Sequence, residues 1–312
     1  MPPRWDALGA LAAITGMLAL IWSITTLADR GLTDVRAWIA LVVGGSVLVW
    51  FIRRCLSQSN PMLDLTLFRS RPFTAGILAA STFMFAMSAL LLLSAQWLQI
   101  VEGASPLEAG VAMLPAVLVV GVASPLAPSL ATRIGARAVL GGGLGITGLG
   151  FLTIYLAPEP ISYGWMVVAM ILLGSGAGSL AVGSALIISG TPQEKAGHAA
   201  ALEETSYELG SVLGVAILGS IAAAIYRSRM STLAPRVAGL GSDQVWASEQ
   251  SLSAAEGVAR SVDAPGLMSL ANSSFTTALA DTGLIGFVVL ALAAVGITSL
   301  VPKRYDVTRA GE

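Results

Sequence analysis

Eight long apolar runs, at residues 7–28, 37–52, 73–98, 109–130, 139–156, 164–189, 205–226 and 277–301, dictate the solvent in which this chain can fold. A helix needs roughly 20 apolar residues to cross a hydrocarbon core of about 30 Å. The runs are continuously apolar and lack the two-residue alternation that separates lumen from lipid in a barrel, so they predict helices and not strands. Only 11% of the residues are charged, against roughly 25% in a soluble domain. The expected fold class is therefore all-α, a polytopic membrane protein of about eight transmembrane helices. Met1-Pro2-Pro3-Arg4-Trp5-Asp6 leads into a first run too long for a signal-peptide core, and it reads as a retained helix.

The distribution of charge predicts an orientation, because cytoplasmic flanks collect Lys and Arg. Arg53, Arg54, Arg69 and Arg71 follow the second run, Arg133 and Arg137 the fourth, Lys195 the sixth, and Lys303, Arg304 and Arg309 the last. The connections around Glu102 and Glu159 contain no Lys or Arg, and the first connection carries only Arg30 and Arg36. Parity then places both termini in the cytoplasm and residues 227–276 in a long extracellular loop. Two short helices are expected in that loop, one opening at Ser242-Asp243 and one at Asp263-Ala264-Pro265. Trp38, Trp97 and Trp165 fall near outer ends and Trp5 and Trp50 near inner ones, as interfacial belts do. A net charge of −1 with no separate basic stripe argues against nucleic acid as a partner. Cys55 is the single cysteine and His198 the single histidine, so disulfide, paired-His zinc and Ser-His-Asp chemistry have no residues to build on. No enzyme, metal site or cofactor is expected.

The acids beside and inside the seventh run carry the sharpest signal. Within Glu203-Glu204-Thr205-Ser206-Tyr207-Glu208-Leu209-Gly210, Glu204 and Glu208 are four apart, share one helix face and continue toward Ser211. Two carboxylates on one face in low dielectric repel, which favours reversible uptake of a proton, and an organic cation could compete for the same place. The competing reading puts these acids at the helix N-terminus among headgroups, since Leu209 to Tyr226 nearly spans a bilayer alone. Tyr207, Phe83, Met87 and Met113 could form a polarizable wall for a flat cation, or simply face lipid and core. The glycines of Gly141-Gly142-Gly143 and Gly174-Ser175-Gly176-Ala177-Gly178, with Gly210 and Gly214, predict close helix packing and not a phosphate loop. Pro115, Pro125 and Pro128 are expected to bend the fourth helix.

Several of these segments, taken in order, resemble the fourteen-helix drug/proton antiporter branch of the major facilitator superfamily. They are Arg4-Trp5-Asp6, Pro61-Met62-Leu63-Asp64-Leu65 with Phe68, Ser105-Pro106-Leu107-Glu108-Ala109-Gly110, and Leu114-Pro115. Arg133-Ile134-Gly135-Ala136-Arg137 resembles the second-half copy of that family's cytoplasmic loop motif, with Thr132 where the fuller motif has an Asp. Ala196-Gly197-His198 through Glu203-Glu204 and Tyr207-Glu208-Leu209-Gly210 is most similar to the quaternary-ammonium and methyl-viologen exporters. The resemblance implies that residues 1–60 form the two central-pair helices and residues 61–312 the six-helix C-terminal bundle. It also implies a role for Glu203, Glu204 and Glu208 in coupling protons to hydrophobic cationic substrates. Val120 and Gly121 stand where some relatives carry a further acid, which implies poorer handling of divalent cations.

The family's first six helices have no counterpart here. The leading expectation is therefore the C-terminal portion of a proton-coupled multidrug efflux antiporter of the bacterial plasma membrane. Its partners would be the lipid bilayer and either a missing N-terminal bundle or a second copy of the chain. The alternative is a non-transporting membrane remnant or scaffold.

Overall fold

The computed structural model describes residues 6–30, 34–58, 63–237, 239–262 and 264–301. Arg4, Trp5, Pro61, Met62, Asp263, Lys303, Arg304 and Arg309 lie outside the described residues. Among the described residues every regular element is helical, and 8 segments are long and apolar enough to cross a membrane. The α1 (Ala7–Arg30) and α2 (Val35–Ser57) helices form a hairpin. A bundle follows: α3 (Arg71–Gln96) with a π turn at Trp97–Val101, α4 (Pro106–Ala112) with α5 (Leu114–Ile134), α6 (Ala136–Leu156), α7 (Tyr163–Ser175) with α8 (Gly178–Ser189), α9 (Ala196–Leu233) and α12 (Pro265–Leu300). The α10 (Ser242–Gln250) and α11 (Leu252–Ser261) helices join the last two.

Helix α3 sits at the centre of the bundle, packed against α8, α9 and α12, while α6 packs against α12, α7 and α8 and α5 against α7 and α8. The hairpin leans on α9 through α1. Phe83, Leu90, Leu140, Leu144, Phe151, Met166 and Met170 fill the core. Trp97 belongs to this core: it is 0% exposed, whereas Trp38, Trp50 and Trp165 are exposed as belt residues are. The expected belt position of Trp97 is thus corrected, because the π turn rotates its ring inward among α3's neighbours.

Two apolar runs are interrupted. The fourth breaks at Met113, because Pro115 has no N–H to give and its ring crowds the carbonyl four residues back. Pro115 then occupies the first turn of α5, where proline is tolerated, and the helix continues through Pro125 and Pro128. Of the expected proline effects, the break belongs to the first. The sixth run breaks within Gly174-Ser175-Gly176-Ala177-Gly178 into α7 and α8. There the Gly176 carbonyl accepts a bond from Ser179 Oγ at 2.7 Å, and a Cβ on Gly176 would collide with Thr147 of α6.

Helices α9 and α12, at 38 and 36 residues, are each about 55 Å long and overrun any bilayer. Their far ends carry α10 and α11 as a cap, fastened where Tyr226 Oη donates to the Ser248 carbonyl at 3.1 Å. Leu252, Ala255 and Ala259 bury one face of α11 in the core. The long loop therefore differs from expectation. Both short helices lie within residues 242–261, and Pro265 opens α12 itself, a first-turn position suited to proline.

At the opposite end, where Arg54, Arg71, Arg133 and Lys195 gather, two ion pairs join elements distant in sequence. Asp6 caps α1 through the Gly9 N–H at 3.0 Å and accepts Arg54 Nε of α2 at 3.0 Å. The bond from Arg54 holds the Asp6 carboxyl down to about 2. Asp64 accepts from Lys195 Nζ at 2.6 Å and from the Thr66 N–H at 3.0 Å, so it ties the entrance of α3 to that of α9. The Lys195 bond is the main reason its carboxyl is held down to about 2. A lowered folded-state value means the stabilisation is complete above the ordinary value of 3.8 and is lost as pH falls through about 2. Asp64→Asn is accordingly expected to cost about 1 kcal/mol or less near neutral pH, because the Lys195 partner of this pair is exposed and screened by solvent. Thermal unfolding in detergent should show the variant converging on wild type as pH drops from 6 toward 2.

Candidate functional site

Helix α9 begins at Ala196, so Glu203 is already two turns inside it and no acid occupies the first turn. The N-terminal dipole account of these carboxylates fails on that ground. Depth follows from packing. A Cβ on Gly210 would collide with the Ser81 carbonyl and one on Gly214 with the Phe85 carbonyl. Ser211 Oγ meets Ser88 Oγ at 2.6 Å. The turn at Gly210 therefore stands opposite residues 81–88 of α3, which is about 15–25 Å along that helix from Arg71. Glu208 lies two residues, about 3 Å, nearer the basic end. Glu203 lies about 8 Å further back still, so of the three acids Glu208 stands farthest from the basic end.

The three acids are not equivalent. Glu204 and Glu208 are exposed on one face of α9, as their spacing predicts, and Val215 continues that face. Ser211, expected to extend it, is turned toward α3 by its bond to Ser88. Glu203 is half-buried on the side of the helix facing the bundle and accepts a bond from Tyr207 Oη one turn on. The Tyr207 hydroxyl also interacts with Ser184 of α8. Glu203, Tyr207 and Ser184 thus brace α9 against α8, while Glu204 and Glu208 remain available on the open face. The Glu203-to-Tyr207 spacing of four carries this pairing in the sequence, although the acidic pair 204/208 is the more conspicuous signal.

The expected aromatic and methionine wall is only partly present. Phe83 is 0% exposed and belongs to the core, because its position on α3 points into the bundle. Met87 and Met113 are half-buried and pack against the same core, and only Tyr207 adjoins the acids. Within the loop motif Gly135 joins α5 to α6 at φ 90°, a conformation that favours glycine. Arg133 is exposed and Arg137 half-buried, and neither forms an ion pair among the described residues. Among the described residues no group of three His, Cys, Asp or Glu side chains could hold a metal ion.

The Major Facilitator Superfamily profile matches residues 3–215 and, overlapping it, 77–307. The multidrug efflux pump LfrA of Mycolicibacterium smegmatis is 34% identical over 299 residues, covering 94% of this chain and 58% of that protein. The methyl viologen resistance protein SmvA of Salmonella typhimurium is 37% identical, covering 67% of this chain and 43% of that protein. The chain thus spans about half the length of these curated relatives. In fold it is similar to an inward-facing bacterial homologue of the lysosomal transporter Spinster, with a TM-score of 0.56 at 17% identity over 96% of this chain and 68% of that one. By its all-helical architecture, its matched profile and its relatives, the chain belongs to the Major Facilitator Superfamily.

Proposed function

We propose that this chain supplies the C-terminal bundle of a proton-coupled exporter of hydrophobic organic cations, such as quaternary ammonium compounds. The observation that carries the reading is the pair Glu204 and Glu208, two exposed carboxylates on a membrane-crossing helix. Carboxylates at such a depth are costly unless they line a cavity or a proton path. A proton and an organic cation neutralise the same charge, so each displaces the other, and that competition is the simplest form of antiport. Relatives named for multidrug efflux and methyl viologen resistance support the substrate class. The basic flanks support a bacterial plasma membrane location with both termini in the cytoplasm.

Alternating access in this superfamily rocks one bundle against another around a central site. Among the described residues no second bundle lies opposite the open face of α9, and the packing of α1 on α2 and α9 supports reading these two helices as a central pair beside the six-helix bundle. Transport therefore requires an N-terminal bundle or a second copy to complete the cavity. Cells expressing the chain together with the N-terminal bundle of a relative are expected to extrude ethidium, and to stop when the proton gradient is collapsed. Efflux that never exceeds that of cells with the N-terminal bundle alone would favour a non-transporting scaffold instead.

A further inference from the structure

We propose that residues 196–208 of α9 form a hinged arm, latched at its tip by the ion pair of Lys195 with Asp64 and pivoting where Gly210 and Gly214 meet α3, so that the latch sets the position of the acids. Its meaning for ion exchange rests on the reading of Glu204 and Glu208 given above. The fixed half of the latch is the short helical turn Leu65–Arg69. That turn is fastened to α3 twice: Thr74 Oγ1 donates to the Phe68 carbonyl at 2.8 Å, and the Phe68 ring meets Phe73 edge-on with centroids 5.4 Å apart. Asp64 caps the turn, and Lys195, the residue before α9, reaches across to it. Lys195 Nζ also donates to Thr66 Oγ1 at 3.4 Å.

The packing lets the arm move apart from the rest of the bundle. Ala199 and Leu202 are buried in a second apolar cluster, with Leu67, Phe73, Ile77 and Ile187, and not in the main core. Beyond the pivot, Leu218, Ala222, Tyr226 and Met230 hold α9 in the main core. Helices bend at Gly/Ser pairs such as Gly210-Ser211, and the backbone of α3 at Ser81 and Phe85 supplies the fulcrum. The Lys195 side chain is 41% exposed, so the pair is weak enough to open by thermal motion. The three acids lie between latch and fulcrum. From Gly210, Glu208 is about 3 Å along the axis, Glu204 about 9 Å and Glu203 about 10 Å. Displacement in a tilt grows with distance from the fulcrum, so Glu203 and Glu204 swing about three times as far as Glu208.

The test is the rate at which a water-soluble maleimide labels Ala199→Cys in the purified full chain in lipid nanodiscs, with Cys55→Ala removing the native thiol. Ala199 is buried and lies about 15 Å before Leu209, outside the apolar part of α9, so its labelling reports opening of the arm. Asp64→Asn, which keeps an acceptor for the Thr66 N–H, and Lys195→Met are each expected to raise the rate about threefold or more. Lys195→Arg, which keeps the pair, is expected to label as wild type does. Ala255→Cys, buried at the capped end, is the control and is expected to be unaffected by any of these changes. Should Ala199→Cys not fold, Leu202→Cys in the same cluster takes its place. The proposal is overturned if Asp64→Asn and Lys195→Met leave labelling of Ala199→Cys within about twofold of the latched chain. It is equally overturned if Ala255→Cys accelerates in parallel, the mark of a general loosening. Labelling needs neither substrate nor proton gradient, so its outcome is independent of the efflux result.

Discussion

Replacement of Glu208 by Gln, in a chain completed by an N-terminal bundle, is expected to reduce proton-driven ethidium efflux on the order of a hundredfold. The substitution keeps the shape and removes the charge. Truncating one partner of a desolvated charge interaction typically costs about 2–5 kcal/mol, and each 1.4 kcal/mol is about tenfold. Glu208 is the deepest of the three acids and stands on the open face, so both proton and cation must meet it there. Tyr207→Phe should be milder, about tenfold or less, because it removes a hydrogen bond to Glu203 and leaves the charge in place. The measurement is initial efflux rate against an imposed pH gradient. Efflux in Glu208→Gln equal to wild type would remove that residue from the mechanism, and an effect of Tyr207→Phe as large as that of Glu208→Gln would move the proton site to Glu203.

The second large effect concerns the α3–α9 contact. Gly214→Leu is expected to prevent the stable packing of these helices, because even a Cβ there meets the Phe85 backbone, which cannot move aside as a side chain can. Overpacking costs typically about 1–3 kcal/mol or more, and here it also parts the Ser88–Ser211 bond. Gly219→Ala on the same helix is the control. Its Cβ meets only Leu92 Cδ2 at 3.9 Å, so the gain in helix propensity, up to about 1 kcal/mol, should prevail. Thermal unfolding in detergent should separate the two in opposite directions. A stable, monodisperse Gly214→Leu variant would contradict the close approach at the centre of the bundle.

The apolar runs made the eight membrane-crossing segments legible, because length and composition alone satisfy the demands of the bilayer. Their ends were less so. Residues 196–204 are polar enough to read as a loop, yet they continue α9, since Ala-rich sequence propagates a helix once the apolar part has nucleated it. That extension decides between the two readings of Glu203, Glu204 and Glu208, against the helix start and for residues within the helix. Phe83 and Trp97 illustrate the reverse difficulty: hydrophobicity cannot distinguish a side chain facing lipid from one facing core, because both surroundings are apolar. The pairing of Asp64 with Lys195, distant in sequence, depends on how α3 and α9 assemble and has no local signature.

Equilibrium binding of tetraphenylphosphonium to the purified chain in nanodiscs, measured from pH 5 to 9, tests most directly whether the α9 carboxylates exchange protons for cations. Affinity is expected to rise with pH in the wild type, because loss of the competing proton frees the carboxylates. Replacing Glu204 and Glu208 together by Gln should lower it and flatten its pH dependence. Binding that is independent of pH, or that keeps its pH dependence after both substitutions, would contradict the assignment of proton and cation to this face of α9.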